Sequence, residues 1–243
     1  WMKITGIEAI RINLPYASGI IRKYRPKPHP TTILKVYTDE GIIGLGESLH
    51  ASEEQIKFCA SAIVGKNPLE MDLLNLDLPM PALSAYEQAL YDLVGKKLKL
   101  PVCKLLGGGF KDKVPLAYFG HEMTVEETVS EAEFAVEKGF KVFKFKAWTP
   151  STVAERVKAV YKAVGEELAL RLEANYAWRT PAKALTVMRK VEDYNVECVE
   201  DPVPYNLDWY VLLRRKAEVP IAIHFENRGA YPRPKEILNA VKF

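Results

Sequence analysis

The stretch KVFKFKAW, residues 141–148, indicates a buried strand that carries two lysines. Residues i and i+2 of a strand point to the same side, so Lys144 and Lys146 project their ammonium groups in one direction. The neighbouring strand positions are apolar. Like charges on one face of such a strand need compensating charges or a ligand, because unpaired charge is costly to bury.

From about residue 114 onwards, predicted strands alternate with predicted helices. The strand segments are VPLAYF, KVFKFK, LALRLE, VECVE and VPIAIHF. A predicted helix follows each strand. The first helix is capped by Thr124 with Glu127, and the third begins at Thr180 and Pro181. The second, fourth and fifth helices span about 152–164, 207–216 and 233–242. Five βα units with short connections predict a parallel sheet covered by helices, either a βα barrel or a doubly wound sheet.

The first part of the chain has a different pattern. Segments 4–14, 31–38 and 41–48 are typical of strands, with a hairpin turn at Asp39 and Gly41. Helices are predicted over 52–65, from Asn67 and Pro68, and over 82–98. We therefore predict an N-terminal α+β domain over residues 1–113 and a βα domain over residues 114–243.

Polar residues end successive strands of the βα part at a constant spacing. Lys146, Glu173, Glu200 and Glu226 are separated by 27, 27 and 26 positions. A period of one βα unit places each residue at the same edge of the sheet, the carboxyl end, where barrels carry their active sites. One such charge is usually just the first solvated residue after a strand, but four in succession beside Lys144 indicate a site.

The set of charges suggests a specific chemistry. Three converging carboxylates suit a hard divalent cation, and oxygen ligands favour Mg²⁺, with Mn²⁺ as an alternative. The ammonium of Lys144 and the cation would lower the pKa of Lys146, so that Lys146 can act as a base. A carboxylate substrate would then lose its α-proton, and the cation would stabilise the enediolate.

Composition excludes other classes of function. The chain has 243 residues, 48% of them hydrophobic and 27% charged, with a net charge of +3. Acidic and basic residues are interleaved outside the basic loop 20–30, so no nucleic-acid partner is predicted. We also find no run of about 18 apolar residues and no leader segment, and therefore predict no membrane partner and a cytoplasmic location. The three cysteines lie far apart in the sequence, and we predict that they are small buried hydrophobic residues.

The quoted motifs resemble the enolase superfamily, and within it the branch of mandelate racemase and muconate-lactonising enzyme. GIIGLGES and ALSAYEQALYDLVGKKLKLPVCKLLGG are similar to the capping domain of that family. FKFK, RLEANYAW and VECVEDP resemble its lysine motif and its first two metal-ligand strands. The resemblance covers nearly the whole chain and implies a capping domain followed by a (β/α) barrel of the TIM type.

The resemblance also implies a role for individual residues. Lys146 matches the family's base, and Lys144 matches the companion of that base. Glu173 matches the first metal ligand, where aspartate is more usual, and Glu200 matches the second metal ligand. Asn175 matches the asparagine that commonly follows the first ligand. The third ligand is Glu226 if the alignment follows the EN pair, or His224 if it follows the distance from VPIA. Glu226 is preferred because it keeps the oxygen site.

Further expectations concern substrate and assembly. The resemblance implies that loops near 15–30 and 49–53 close over the substrate, which makes four residues candidates for specificity: Tyr16, Arg22, Tyr24 and His50. It also implies a symmetric homo-oligomer. Family barrels have eight strands, whereas this sequence contains five βα units. We expect it to be part of a longer protein, with a truncated chain as the alternative, and the second catalytic group is expected beyond Phe243.

Two functions follow from these observations. The first is a magnesium-dependent enzyme that abstracts the α-proton of a small carboxylate, with acid-sugar dehydration preferred over racemisation or epimerisation, and cycloisomerisation third. The second is a non-catalytic or truncated barrel relative that binds a ligand or serves assembly, which His224 and the absent strands would favour.

Overall fold

The structure is a computed structural model, and it describes residues 1–16, 18–70 and 78–224. The chain divides into two compact units, Trp1–Lys113 and Val114–Phe243. Within the described ranges, no helix combines the length and the apolar character that crossing a bilayer requires.

The first unit contains a three-stranded antiparallel sheet. Its strands, in the order β1-β2-β3, are β1 (Ile4–Leu14), β2 (His29–Thr38) and β3 (Ile43–Ser48). The turn between β2 and β3 requires a left-handed residue, which Gly41 supplies with φ +74°. Buried and exposed positions alternate along β3, so the sheet has one face in the core.

Helices α2 (Glu53–Cys59) and α3 (Met80–Leu98) pack on the sheet. The first unit also contains the helices α1 (Gly19–Tyr24) and α4 (Val102–Leu105) and 3₁₀ turns at Ala60–Ala62 and Pro68–Glu70. Helix α1 lies in a segment predicted as loop, and Ser18 caps it by accepting from the Ile21 N–H. Helix α2 is shorter than predicted, because the chain continues as a 3₁₀ turn from Ala60.

Helix α3 packs unusually close to β3. A Cβ added at Gly46 would lie 2.0 Å from the carbonyl oxygen of Ala85, and one added at Gly44 would lie 2.2 Å from that of Ala89. Only glycine permits this approach. The core behind it is apolar and includes Leu34, Val36, Ile56, Tyr86 and Leu93.

The second unit contains a parallel sheet. Its strands are β4 (Tyr118–Gly120), β5 (Val142–Lys146), β6 (Ala169–Glu173), β7 (Val196–Glu200) and β8 (Ile221–Ala222), in the order β4-β5-β6-β7-β8. The helices between them are α5 (Val125–Glu137), α6 (Pro150–Val164), α7 (Pro181–Met188) and α8 (Leu207–Lys216). The predicted capping box of Thr124 and Glu127 is present at α5.

The strand order decides between the two predicted architectures. A doubly wound sheet reverses its order at a switch point, whereas each described strand here pairs with the next one along the chain. This is the arrangement of successive units in a βα barrel. The predicted fold class, an α+β unit followed by βα units of a barrel, is therefore confirmed. The helix predicted at 233–242 lies outside the described residues.

Candidate active site

Three strand ends place their polar residues side by side. Lys146 pairs with Glu173 in the register of β5 and β6, and Glu173 pairs with Glu200 in the register of β6 and β7. The 27-residue spacing thus corresponds to one row along the carboxyl edge of the sheet. Glu226, the fourth member of the predicted series, lies outside the described residues.

Lys144 links the two glutamates. Its Nζ lies 2.9 Å from Glu173 Oε2 and 2.5 Å from Glu200 Oε2. Burial acts to lower the pKa of the Lys144 ammonium, but its hydrogen bonds to Glu200 and Glu173 outweigh burial and raise that pKa above its usual value. The raised pKa favours the charged form of Lys144 between the two carboxyl groups.

The two carboxyl groups differ in their affinity for a proton. Burial raises the pKa of Glu173, whose side chain is only 3% exposed, despite the opposing charge of Lys144. Burial acts to raise the pKa of Glu200, but the hydrogen bond and the positive charge of Lys144 oppose burial, and the pKa of Glu200 lies below its usual range. Two close carboxyl groups repel one another when both are ionised, so positive charge at this point is stabilising.

Lys146 contacts both an amide and a carboxylate, and its hydrogen bond to the amide is the shorter contact. Its Nζ donates to Asn175 Oδ1 at 2.8 Å, and it lies 3.8 Å from Glu173 Oε2. Asn175 follows β6 in the left-handed conformation, with φ +45°, which asparagine adopts more readily than most residues. The same Oδ1 accepts a bond from Trp148 Nε1 at 2.9 Å. Asn175 therefore orients the side chain of Lys146.

Glu200 also lies near His224 and Asp201. His224 Nδ1 lies 3.9 Å from Glu200 Oε1, and the backbone N–H of His224 donates to Asp201 Oδ1 at 2.9 Å. Atoms of Glu200, Asp201 and His224 that could hold a metal ion lie within 4.8 Å of one another. Asp201 is 1% exposed and has a left-handed backbone, with φ +49°. Burial raises the pKa of its carboxyl group.

The donor atoms fit a hard divalent cation. Glu173 and Glu200 present carboxylate oxygens that already converge on one positive charge, the Lys144 ammonium, and carboxylates are the ligands that Mg²⁺ prefers. His224, the alternative third ligand, lies near Glu200, and the choice between His224 and Glu226 stays a prediction.

Sequence reasoning missed three residues at this site: Glu122, Trp148 and Asp201. Trp148 stands two positions after Lys146, so the strand period was a signal that could have identified it. Asp201 directly follows a predicted ligand, but nothing in the sequence indicates its left-handed backbone. The role of Glu122 depends on contacts between strand ends that only packing creates.

The four predicted specificity residues belong to the first unit. Arg22 and Tyr24 lie on α1. The hydroxyl of Tyr16 accepts a hydrogen bond from Arg25 Nη1 at 3.4 Å. The backbone N–H of His50 donates to Ser48 Oγ at 3.3 Å. Their contact with a substrate stays a prediction.

Two protein families match the chain. The N-terminal domain family of mandelate racemase and muconate lactonizing enzyme matches residues 27–107, and the enolase C-terminal domain-like family matches residues 127–228.

Individual relatives agree with these matches. The N-succinyl-L-Arg/Lys racemase of Bacillus cereus is 31% identical, with 91% of this chain and 66% of the relative aligned. The hydrophobic dipeptide epimerase of Enterococcus faecalis is 35% identical over 71% of this chain and 53% of the relative. The D-xylonate dehydratase of Haloferax volcanii is 29% identical over 80% of this chain and 56% of the relative. The chain thus spans between about half and two thirds of the length of these relatives.

Solved structures share the fold. The N-succinyl Arg/Lys racemase structure from B. cereus has a TM-score of 0.77 at 29% identity, covering 91% of this chain and 65% of that one. The dipeptide epimerase structure from E. faecalis has a TM-score of 0.75 at 28% identity, covering 91% and 66%.

Proposed function

We propose that this chain, which belongs to the mandelate racemase and muconate lactonizing enzyme family of the enolase superfamily, supplies the site for a cation-assisted removal of the α-proton from a small carboxylate substrate. One observation carries the proposal: Lys146, Glu173 and Glu200 stand in register at the carboxyl ends of three adjacent strands. A base and two cation ligands are thereby side by side.

Lys146 is the proposed general base. It takes the α-proton at Nζ, the atom that Asn175 Oδ1 orients through a 2.8 Å hydrogen bond. Side-chain bases of this kind contribute about 10²–10⁴-fold to a reaction rate. Lys144 is the proposed companion, whose positive charge attracts the anionic substrate toward the strand ends.

Glu173 and Glu200 are the proposed cation ligands, with Glu226 as the third. A bound Mg²⁺ or Mn²⁺ ion would offset the negative charge that grows on the substrate carboxylate as the proton leaves. Both glutamates must be ionised to bind it. The lowered pKa of Glu200 favours its ionised form, and a bound cation would favour ionisation of Glu173, whose pKa burial raises. The preference for Mg²⁺ rests on the oxygen donors of the set.

The outcome after proton removal is proposed in two forms. Two of the relatives described above are a racemase and an epimerase, which favours inversion at the α-carbon of an acylated amino acid or a dipeptide. The other relative is a dehydratase, which supports the acid-sugar dehydration preferred from the sequence. The non-catalytic alternative is not favoured, because all of these relatives are enzymes. The cytoplasmic location and the homo-oligomer stay predictions.

Solvent deuterium exchange tests the proposal. The protein is incubated in D₂O with N-succinyl-L-arginine, L-Ala-L-Glu or D-xylonate, with Mg²⁺ or with a chelator, and deuterium at the α-carbon is followed by NMR. Exchange that requires the metal supports the proposal. Inversion of configuration then identifies a racemase or epimerase, and loss of water a dehydratase. A metal-independent reaction, or neither exchange nor loss of water with any of the compounds, would count against it.

A further inference from the structure

An ion pair between Arg156 and Glu122 holds the segment that follows Lys146. Arg156 Nη1 donates to the carbonyl oxygen of Lys146 at 3.0 Å, and Arg156 Nη2 donates to Glu122 Oε1 at 3.1 Å. Glu122 in turn accepts from the backbone N–H groups of Trp148, at 2.6 Å, and Thr149, at 3.3 Å. The pair therefore fixes the backbone on both sides of Ala147.

The remaining polar groups of this segment are also held. The N–H of Ala147 donates to the carbonyl oxygen of Glu173 at 2.8 Å, and the indole N–H of the buried Trp178 donates to the carbonyl oxygen of Ala147 at 2.8 Å. The chain directly after the proposed base thus has fixed hydrogen-bond partners in strand β6 and the loop that follows it.

The ion pair joins a fully buried arginine to a partly buried glutamate. Arg156 is fully buried, with its guanidinium carbon 5.0 Å from the ring centroid of Phe145, and the Glu122 side chain is 20% exposed. Taking such charges out of water is costly, so the pair by itself is weak evidence for a stabilising role. Its contacts to the segment after Lys146 point to a second role.

A chain of hydrogen bonds connects Glu122 with the reactive amine. Glu122 holds the backbone of Trp148, whose indole Nε1 donates to Asn175 Oδ1 at 2.9 Å. The same oxygen accepts the bond from Lys146 Nζ at 2.8 Å. A displacement of Trp148 would therefore release one of the two donors that keep Asn175, and through it Lys146, in place.

We propose that Glu122 and Arg156 are positioning residues for Lys146. Arg156 holds the backbone carbonyl of Lys146, and Glu122 sets the position of Trp148. The backbone of Lys146 and, through Trp148 and Asn175, its ε-amine are thereby both held in place. The inference rests on the function proposed above. A misplacement of about 1 Å at a reacting group can cost on the order of 100-fold in rate, which is the effect that the pair prevents.

The kinetic test compares the partly buried Glu122 with the buried Glu131. Glu122→Gln keeps the shape of the side chain and removes its charge, while Glu131→Gln does the same to a carboxylate on α5 that accepts from the hydroxyl of Tyr118. We expect Glu122→Gln to lower kcat for α-proton exchange by about 10-fold or more with KM changed less than about 3-fold. Glu131→Gln should keep kcat within about 2-fold at a comparable loss of thermal stability. Equal losses of kcat in both variants would overturn the proposal.

Two substitutions of Arg156 provide a second test of the positioning role. Arg156→Lys keeps a positive charge beside Glu122 but cannot bridge two acceptors as the guanidinium does, and Arg156→Met removes the charge. We expect kcat to fall in the order wild type, Arg156→Lys, Arg156→Met. Identical kcat values for wild type and Arg156→Met would contradict the proposed anchor.

An NMR measurement does not depend on the choice of substrate. The exchange of the Trp148 indole proton with water, assigned by Trp148→Phe, should be on the order of 10-fold faster in Glu122→Gln than in wild type or Glu131→Gln, because the bond to Asn175 is weakened. Unchanged exchange in Glu122→Gln would overturn the inference.

The failures of the two proposals are distinguishable. If Lys146→Met retains α-proton exchange, or if no compound exchanges at all, the proposed function fails. If Lys146→Met abolishes exchange while Glu122→Gln keeps the kcat of the wild type, only the positioning role fails.

Discussion

Lys144 on β5 reaches across β6 to Glu200 on β7, with Nζ 2.5 Å from Oε2, although the two residues are 56 positions apart in the chain. Glu173, on the intervening strand, shares the same ammonium group at 2.9 Å. The sheet therefore gathers one positive and two acidic groups at a single point. A divalent cation bound by these carboxylates has to share them with Lys144, which leads to the first two predictions.

Replacing Lys144 by methionine should strengthen binding of Mg²⁺. The change removes a positive charge beside the proposed site and leaves the carboxylates to the cation, so we expect the dissociation constant to fall by about 10-fold. Isothermal titration calorimetry measures it, with Lys141→Met, at the exposed beginning of the same strand segment, as the control. Weaker binding in Lys144→Met would show that the lysine instead holds the carboxylates in their binding geometry.

Replacing Glu200 by glutamine should abolish stabilisation of the protein by Mg²⁺. A ligand at 100 times its dissociation constant stabilises the folded state by about 2.7 kcal/mol, which appears as a rise in melting temperature on adding Mg²⁺. Glu197→Gln, on the same strand and paired with Arg171, should keep that rise. A full Mg²⁺-dependent shift in Glu200→Gln would exclude this residue as a ligand.

Replacing Lys146 by methionine should lower α-proton exchange by about 10²–10⁴-fold, since the variant keeps an apolar chain of similar length but has no amine to take the proton. Mg²⁺ binding should change little, because Lys146 lies farther from Glu173 than Lys144 does. Lys141→Met again serves as the control. Exchange at the rate of the wild type would remove Lys146 from the mechanism.

Replacing Gly46 by alanine should destabilise the first unit. The new Cβ would lie 2.0 Å from the carbonyl oxygen of Ala85, so β3 and α3 must move apart, and overpacking of this kind costs about 1–3 kcal/mol. At Gly6 a Cβ meets nothing within 4 Å. Chemical denaturation should therefore show a lower midpoint for Gly46→Ala and a nearly unchanged one for Gly6→Ala; equal midpoints would contradict the close contact.

The cysteines should differ in their reactivity. The sequence-based expectation of three buried thiols is wrong for Cys103, which is exposed. Burial raises the pKa of the Cys59 thiol, and likewise that of Cys198, so both hold less of the reactive thiolate. With iodoacetamide at neutral pH, mass spectrometry should find Cys103 alkylated first. Faster modification of Cys59 would mean that the core around α2 opens readily.

The sequence by itself determined the type of fold and the row of charges. Strands and helices follow from local hydrophobic periodicity and capping residues, which act over a few positions, and the 27-residue period follows from the length of one βα unit. Lys146, Glu173 and Glu200 could therefore be placed at one edge without coordinates. The match to known motifs added the roles assigned to them.

Only the tertiary structure decided which groups touch. The sequential strand order, which separates a barrel arrangement from a doubly wound sheet, depends on long-range pairing that local patterns do not encode. The bonds of Lys144 to both glutamates, of Asn175 to Lys146, and of Glu122 to the backbone of Trp148 join residues at least 26 positions apart. Their geometry arises from the packing of whole elements, since side chains from different strands meet only after the sheet has formed.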